Sequence, residues 1–174
     1  MTITARDPEA ARPVEVVKRK WIPAPEGIWP ARCVDVLLLK DVVKNYAGSP
    51  SKTVDEVKLV WQISERNEMS GKRFLTSRKF TLSLHKKSTL RGFLTSWRGQ
   101  AFTAEELAGF DIEVLVGVNC LLQVIHTPGR EKGDVYATVV SATRTRHLLD
   151  NLEPDLTYIR IRDRAYSQTA VAAA

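Results

Sequence analysis

RFLTSRKFTLSLHKKSTLRGFLTSW, residues Arg73 to Trp97, changes its period halfway along. Up to Leu84 the side chains alternate: Phe80, Leu82 and Leu84 share one parity, Lys79, Thr81 and Ser83 the other. A period of two belongs to a strand with one buried face. From Ser88 the apolar residues Leu90, Phe93, Leu94 and Trp97 follow i, i+3, i+4, i+7, the stripe of an amphipathic helix. Ser88 offers an N-cap oxygen and Gly99 a stop. What surrounds this strand-to-helix switch decides the fold.

Upstream, Val57, Leu59, Trp61 and Ile63 alternate with Lys58, Gln62 and Ser64, which predicts a second strand. Between the two lies Arg66 to Lys72, a polar turn too short for a crossover helix, so the strands form a hairpin. Earlier still, Ala31 to Val43 reads as a long strand with apolar residues on both parities. It is led in by Pro23, Pro25 and Pro30 and followed by a loop at Asn45 to Ser51. Downstream, Thr103 and Glu106 make a capping box, with Phe102 and Leu107 placed for a hydrophobic staple. Two strands follow, Asn119 to His126 and Val135 to Ala142, joined by a Gly- and Pro-containing loop. Tyr158 to Arg162 alternates and predicts a further edge strand.

The order is strand, strand, strand, helix, strand, strand. It predicts a mainly β, five-stranded OB-fold-like barrel with a helical insertion between strands three and four. An SH3-like barrel lacks the inserted helix and ranks second. Alternation of strands and helices, which implies a parallel sheet, is absent. Residues 1–26 are expected to form a flexible arm, 27–164 the domain and 165–174 a disordered tail.

Charge is distributed unevenly. Met69 to Ala104 holds eight cations and no acid: Lys72, Arg73, Arg78, Lys79, Lys86, Lys87, Arg91 and Arg98. The chain has 26 Lys and Arg against 20 Asp and Glu, net +6, so the remainder holds 18 against 20. A concentrated positive field attracts polyanions, of which nucleic acid is the commonest. On an OB barrel the face of strands two and three, with adjacent loops, binds nucleic acid through such charges and through aromatics that stack bases. The stacking candidates are Trp61, Phe74, Trp97 and Tyr136. Alternation with Val57, Leu59 and Ile63 favours a core position for Trp61, and the helical stripe favours one for Trp97. Strict alternation puts Arg78 on the apolar face of its strand, which predicts either a β-bulge or an open strand end.

Trp61-Gln-Ile, Phe80-Thr-Leu-Ser-Leu-His and Leu94-Thr-Ser-Trp-Arg-Gly-Gln-Ala-Phe-Thr-Ala-Glu-Glu-Leu, with Gly109-Phe-Asp-Ile and Gly117-Val-Asn-Cys-Leu-Leu, resemble a family of small phage and prophage replication-initiation proteins. The resemblance spans roughly Gly27 to Arg144, most distinctively Ser96-Trp97-Arg98-Gly99 and Phe102-Thr103. It implies a single-stranded DNA-binding OB-fold acting in replication.

Catalytic chemistry has no foothold in the sequence. There is no GxxxxGK[ST] or GxGxxG loop. His85, His126 and His147 stand apart from one another and from Cys33 and Cys120, so zinc spacing is absent. The two cysteines suit reduced, buried small hydrophobes. Asp55-Glu56 and Glu105-Glu106 are explained by a strand start and a capping box. No apolar run approaches the roughly 18 residues of a membrane span.

The expectation is a non-enzymatic single-stranded DNA-binding protein of the bacterial host cytoplasm, with no cofactor or metal. Lys72, Arg73, Arg78, Lys79, Lys86, Lys87 and Arg98 would contact nucleic acid, with Phe74, Trp61 and Tyr136 stacking bases and little sequence preference. Partners would include replication or recombination proteins, with self-association left open. The alternative is a protein–protein module, either a replication loader or a phage inhibitor of a host nucleoprotein complex. RNA binding on the same fold is a third reading.

Overall fold

A computed structural model describes residues 21–164 except 46, 132 and 148–150, so the first twenty residues of the arm and the tail after 164 lie outside it. The chain is mainly β. Its strands are β1 (Gly27–Lys44), β2 (Lys52–Arg66), β3 (Arg73–Thr81), β4 (Asn119–Pro128) and β5 (Val135–Thr143). Between β3 and β4 stand α1 (Thr89–Arg98), α2 (Ala104–Ala108) and a 3-10 turn at Ile112–Leu115.

The strands form one antiparallel sheet in the order β3-β2-β1-β4-β5. Its length lets β1 serve two partners. Gly27 to Arg32 pairs with β4, and Ala31 to Lys44 pairs with β2. Register shifts between Cys33 and Asp35 and between Leu39 and Val42 bend it, as bulges do. The expected closed barrel is not formed, because β3 and β5 share no ladder. These two edges run parallel, and Arg78 joins them by donating from Nη1 to the carbonyls of Val139 and Val140 at 3.0 and 2.7 Å. Neither a bulge nor an open end re-aims Arg78. It stays on the inward side, its guanidinium 4.9 Å from the Phe80 ring and 5.5 Å from that of Phe93.

The concave side is filled by α1. Leu90, Phe93, Leu94 and Trp97 are buried, and the Trp61 ring sits 5.8 Å from both Phe93 and Trp97. Local chemistry fixes the helices as their caps predict: the Ser88 side chain accepts from Leu90 N–H, and Gly99 adopts φ 70°. Thr103 and Glu106 close the capping box on α2.

Two expectations are corrected. Residues 21–26, assigned to the flexible arm, are tied to β4: Ala24 is buried, its carbonyl lies 2.8 Å from His126 Nε2, and Glu26 accepts from His126 N–H. The stretch Tyr158 to Arg162 is no edge strand. It ends in a 3-10 turn, Ile161–Asp163, packed on the outward side of the sheet.

Candidate nucleic-acid interface

The pleat sorts the side chains of β2 and β3. Val57, Leu59, Trp61 and Ile63 point into the core, so their neighbours Lys58, Val60 and Gln62 point outward. Register places Lys58 opposite Lys79, Val60 opposite Ser77 and Gln62 opposite Leu75. Like charges directly across a ladder destabilise a sheet. The Lys58–Lys79 pair is therefore a local cost carried on an outward face.

The eight cations of the acid-free stretch divide by residue type. Every arginine is engaged by the protein itself. Arg73 donates to the Glu153 carbonyl at 2.6 Å, Arg78 bridges β3 to β5, and Arg91 donates to the Leu84 carbonyl at 3.3 Å. Arg98 pairs with Glu106 and stacks 4.4 Å from the Phe102 ring. Hydrogen bonding from Arg98 holds the Glu106 carboxyl below its ordinary range. Every lysine is exposed, and among the described residues Lys72, Lys79, Lys86 and Lys87 have no side-chain partner. Half-buried Lys58 has none either. These five mark a line from the β2–β3 turn, along β3, to the loop before α1.

The aromatic candidates separate as well. Trp61 is 0% exposed and has no face to offer a base; its expected stacking role is excluded by core packing. Phe74 is half-buried against the same core. Tyr136 is 48% exposed and lies with Trp21, 59% exposed, at a centroid distance of 6.1 Å. A notch of about 480 Å³ lies between them beside the β4–β5 loop, with Pro23 and Val135 on its walls. Sequence reasoning missed Trp21, although it directly follows Lys18, Arg19 and Lys20.

Residues 151–164 lie over the outward side of the sheet. Asp35, fully buried, accepts from Tyr158 Oη at 3.0 Å, Arg160 Nε at 3.0 Å, Ile161 N–H at 2.8 Å and Val36 N–H at 2.9 Å. Burial pushes its carboxyl up, but the hydrogen bonds from Ile161, Arg160, Tyr158 and Val36 outweigh it and hold it below its ordinary value. Arg160 also grips both oxygens of Glu113 at 2.9 Å. Burial and the bond to Asp35 push the Tyr158 phenol up to about 12. Further along, Asp155 faces Arg66 at 3.7 Å, and Leu152 N–H donates to Asn119.

The chain matches no protein-family model, no curated protein and no solved structure.

Proposed function

We propose that this protein binds single-stranded DNA, holding the phosphate backbone on its lysines and stacking bases on Tyr136 and Trp21. One observation carries the reading: four lysines without counter-charges lie on β3 and its flanking loops, with Lys58 beside them on β2, while every arginine of the acid-free stretch is engaged internally. Uncompensated ammonium groups on an outward sheet face suit a polyanion whose positions vary, since lysine acts as a mobile point charge. The strand order, with edges that meet through Arg78, supports an OB-fold-like frame that stays partly open. A role in phage or prophage DNA replication, in the bacterial host cytoplasm, rests on the sequence resemblance.

Fluorescence anisotropy with oligo-dT at about 50 and about 200 mM salt tests the reading. Undetectable binding at the lower salt sinks it. Binding that salt leaves unchanged sinks phosphate capture as the mechanism.

A second reading, a protein-docking module, is favoured by the exposed cluster of Trp21, Ile22, Val135 and Tyr136. Trp21→Ala separates the two: lost DNA affinity places the notch in the DNA site, and unchanged affinity removes it from that site.

A further inference from the structure

Outward positions in the middle of a one-sided sheet are ordinarily wet, yet Val60 and Gln62 are 7% and 3% exposed. Between residues 151–164 and the β2–β3 ladder lies a pocket of about 320 Å³, lined by Gln62, Lys72, Arg73, Leu75, Tyr158 and Arg164. Two buried polar atoms of this lining, Gln62 Oε1 and Arg73 Nε, have no hydrogen-bond partner among the described residues. Buried polar groups are normally satisfied, and a donor and an acceptor left open in one pocket call for a ligand that carries both.

We infer that this pocket holds one nucleotide, either free or as one unit of a strand; in its strand form the inference rests on the function proposed above. A base edge presents acceptors and donors side by side and answers Arg73 Nε and Gln62 Oε1 together. Leu75 gives its flat face an apolar wall, and the Tyr158 ring, with the Arg164 guanidinium 5.6 Å from its centroid, gives a second. Lys72 and the Nη groups of Arg164, whose Nε is held by the Ile159 carbonyl at 3.1 Å, supply the exposed rim that takes the phosphate. A bare phosphate leaves Gln62 Oε1 facing another acceptor, and a metal cation meets three like charges. The volume lies at the lower end for ligand pockets and fits one small molecule, not a chain of them. Residues 151–164 thus become a wall of the binding site. They add a base preference at one position to an otherwise sequence-tolerant lysine track.

The test compares the four homopolymeric deoxyoligonucleotides of roughly 15 residues, and the four free 5′-mononucleotides, on the full chain. Wild-type, Gln62→Leu, Leu75→Trp and Lys79→Gln proteins are used. Leu75 is 44% exposed, so a tryptophan there fills the pocket without entering the core.

The expected result is a ratio of roughly tenfold between the best- and worst-bound homopolymer, the value of one well-made polar pair. The favoured mononucleotide competes for the same site. Gln62→Leu and Leu75→Trp bring the ratio towards one and change the salt slope by no more than the about 0.7 of a single phosphate, whereas Lys79→Gln lowers the slope and keeps the ratio. Equal affinities for all four homopolymers in wild type, or a ratio that survives Leu75→Trp, overturn the inference while leaving the lysine track standing. Mononucleotide binding lost in Leu75→Trp, with no oligonucleotide bound by any variant, keeps the pocket and overturns the strand reading. If Gln62→Leu fails to fold, Leu75→Trp decides alone.

Discussion

Replacing Lys58 and Lys79 together by glutamine pits stability against binding. The two residues are directly opposite on neighbouring strands. Removing that repulsion should leave the fold as stable as wild type or more stable by about 0.2–1 kcal/mol. Binding should move the other way. Single-strand affinity falls with salt at a log–log slope near −0.7 per neutralised phosphate, so five lysines give about −3.5 and the three that remain give about −2.1. Between about 50 and about 200 mM salt, wild type should lose roughly 130-fold in affinity and the variant roughly 20-fold. Urea denaturation and anisotropy titrations with oligo-dT read the two quantities. An unchanged slope refutes phosphate contact at these lysines. A fall in stability of more than about 1 kcal/mol refutes the premise that the pair is a cost retained for binding.

Arg78→Gln should cost about 2–4 kcal/mol, because two charge-assisted bonds across the β3–β5 seam are lost. It should leave the salt slope untouched; urea melts and anisotropy check both halves. Asp35→Asn should destabilise by about 3 kcal/mol, the low end for breaking a buried pair, because Arg160 keeps Glu113. The folded Asp35 carboxyl lies below its unfolded value, so its contribution is complete above the ordinary carboxylate range and disappears as pH falls through the folded value. Comparing urea midpoints near pH 7 and pH 3 should show less acid sensitivity in the variant than in wild type. Tyr158 should ionise near 12 in an ultraviolet titration, and its contribution to stability should vanish as pH rises from the ordinary tyrosine range through that value. In Asp35→Asn its ionisation should move down. Cys33 and Cys120 are free and buried, and burial pushes the Cys33 thiol up to about 12. Both should resist a thiol reagent until denaturant unfolds the chain.

The strands and helices were legible because their signals are local. The period switch after Leu84, the Ser88 cap and the Thr103–Glu106 box each act within a few residues, and the structure repeats them. The covering segment was not legible. Tyr158 to Arg162 alternates like a strand, and its anchor Asp35 lies 123 to 126 residues away. The available clue was Asp35 itself, a lone acid among Val34, Val36, Leu37, Leu38 and Leu39, which as a buried charge demands a partner. Nor does a sequence reveal which cations are engaged. Arg73, Arg78 and Arg91 are held by backbone carbonyls, which leave no mark in composition. Trp61 shows the opposite case: alternation favoured the core, and the core is where it sits.

Asp35 and Arg160 are 125 residues apart, and that distance is also a delay. At ribosomal speeds of about 5–20 residues per second, the carboxylate leaves the exit tunnel roughly 6–25 s before the guanidinium that neutralises it. Once β2 and β3 have followed, β1, β2 and β3 can pair as a meander, but until Arg160 emerges their outward face stays open to water and the acid stays hydrated. The face acquires its cover only when the last described turn is made. A nascent chain therefore exposes the lysines of β2 and β3 before residues 151–164 can pack beside them.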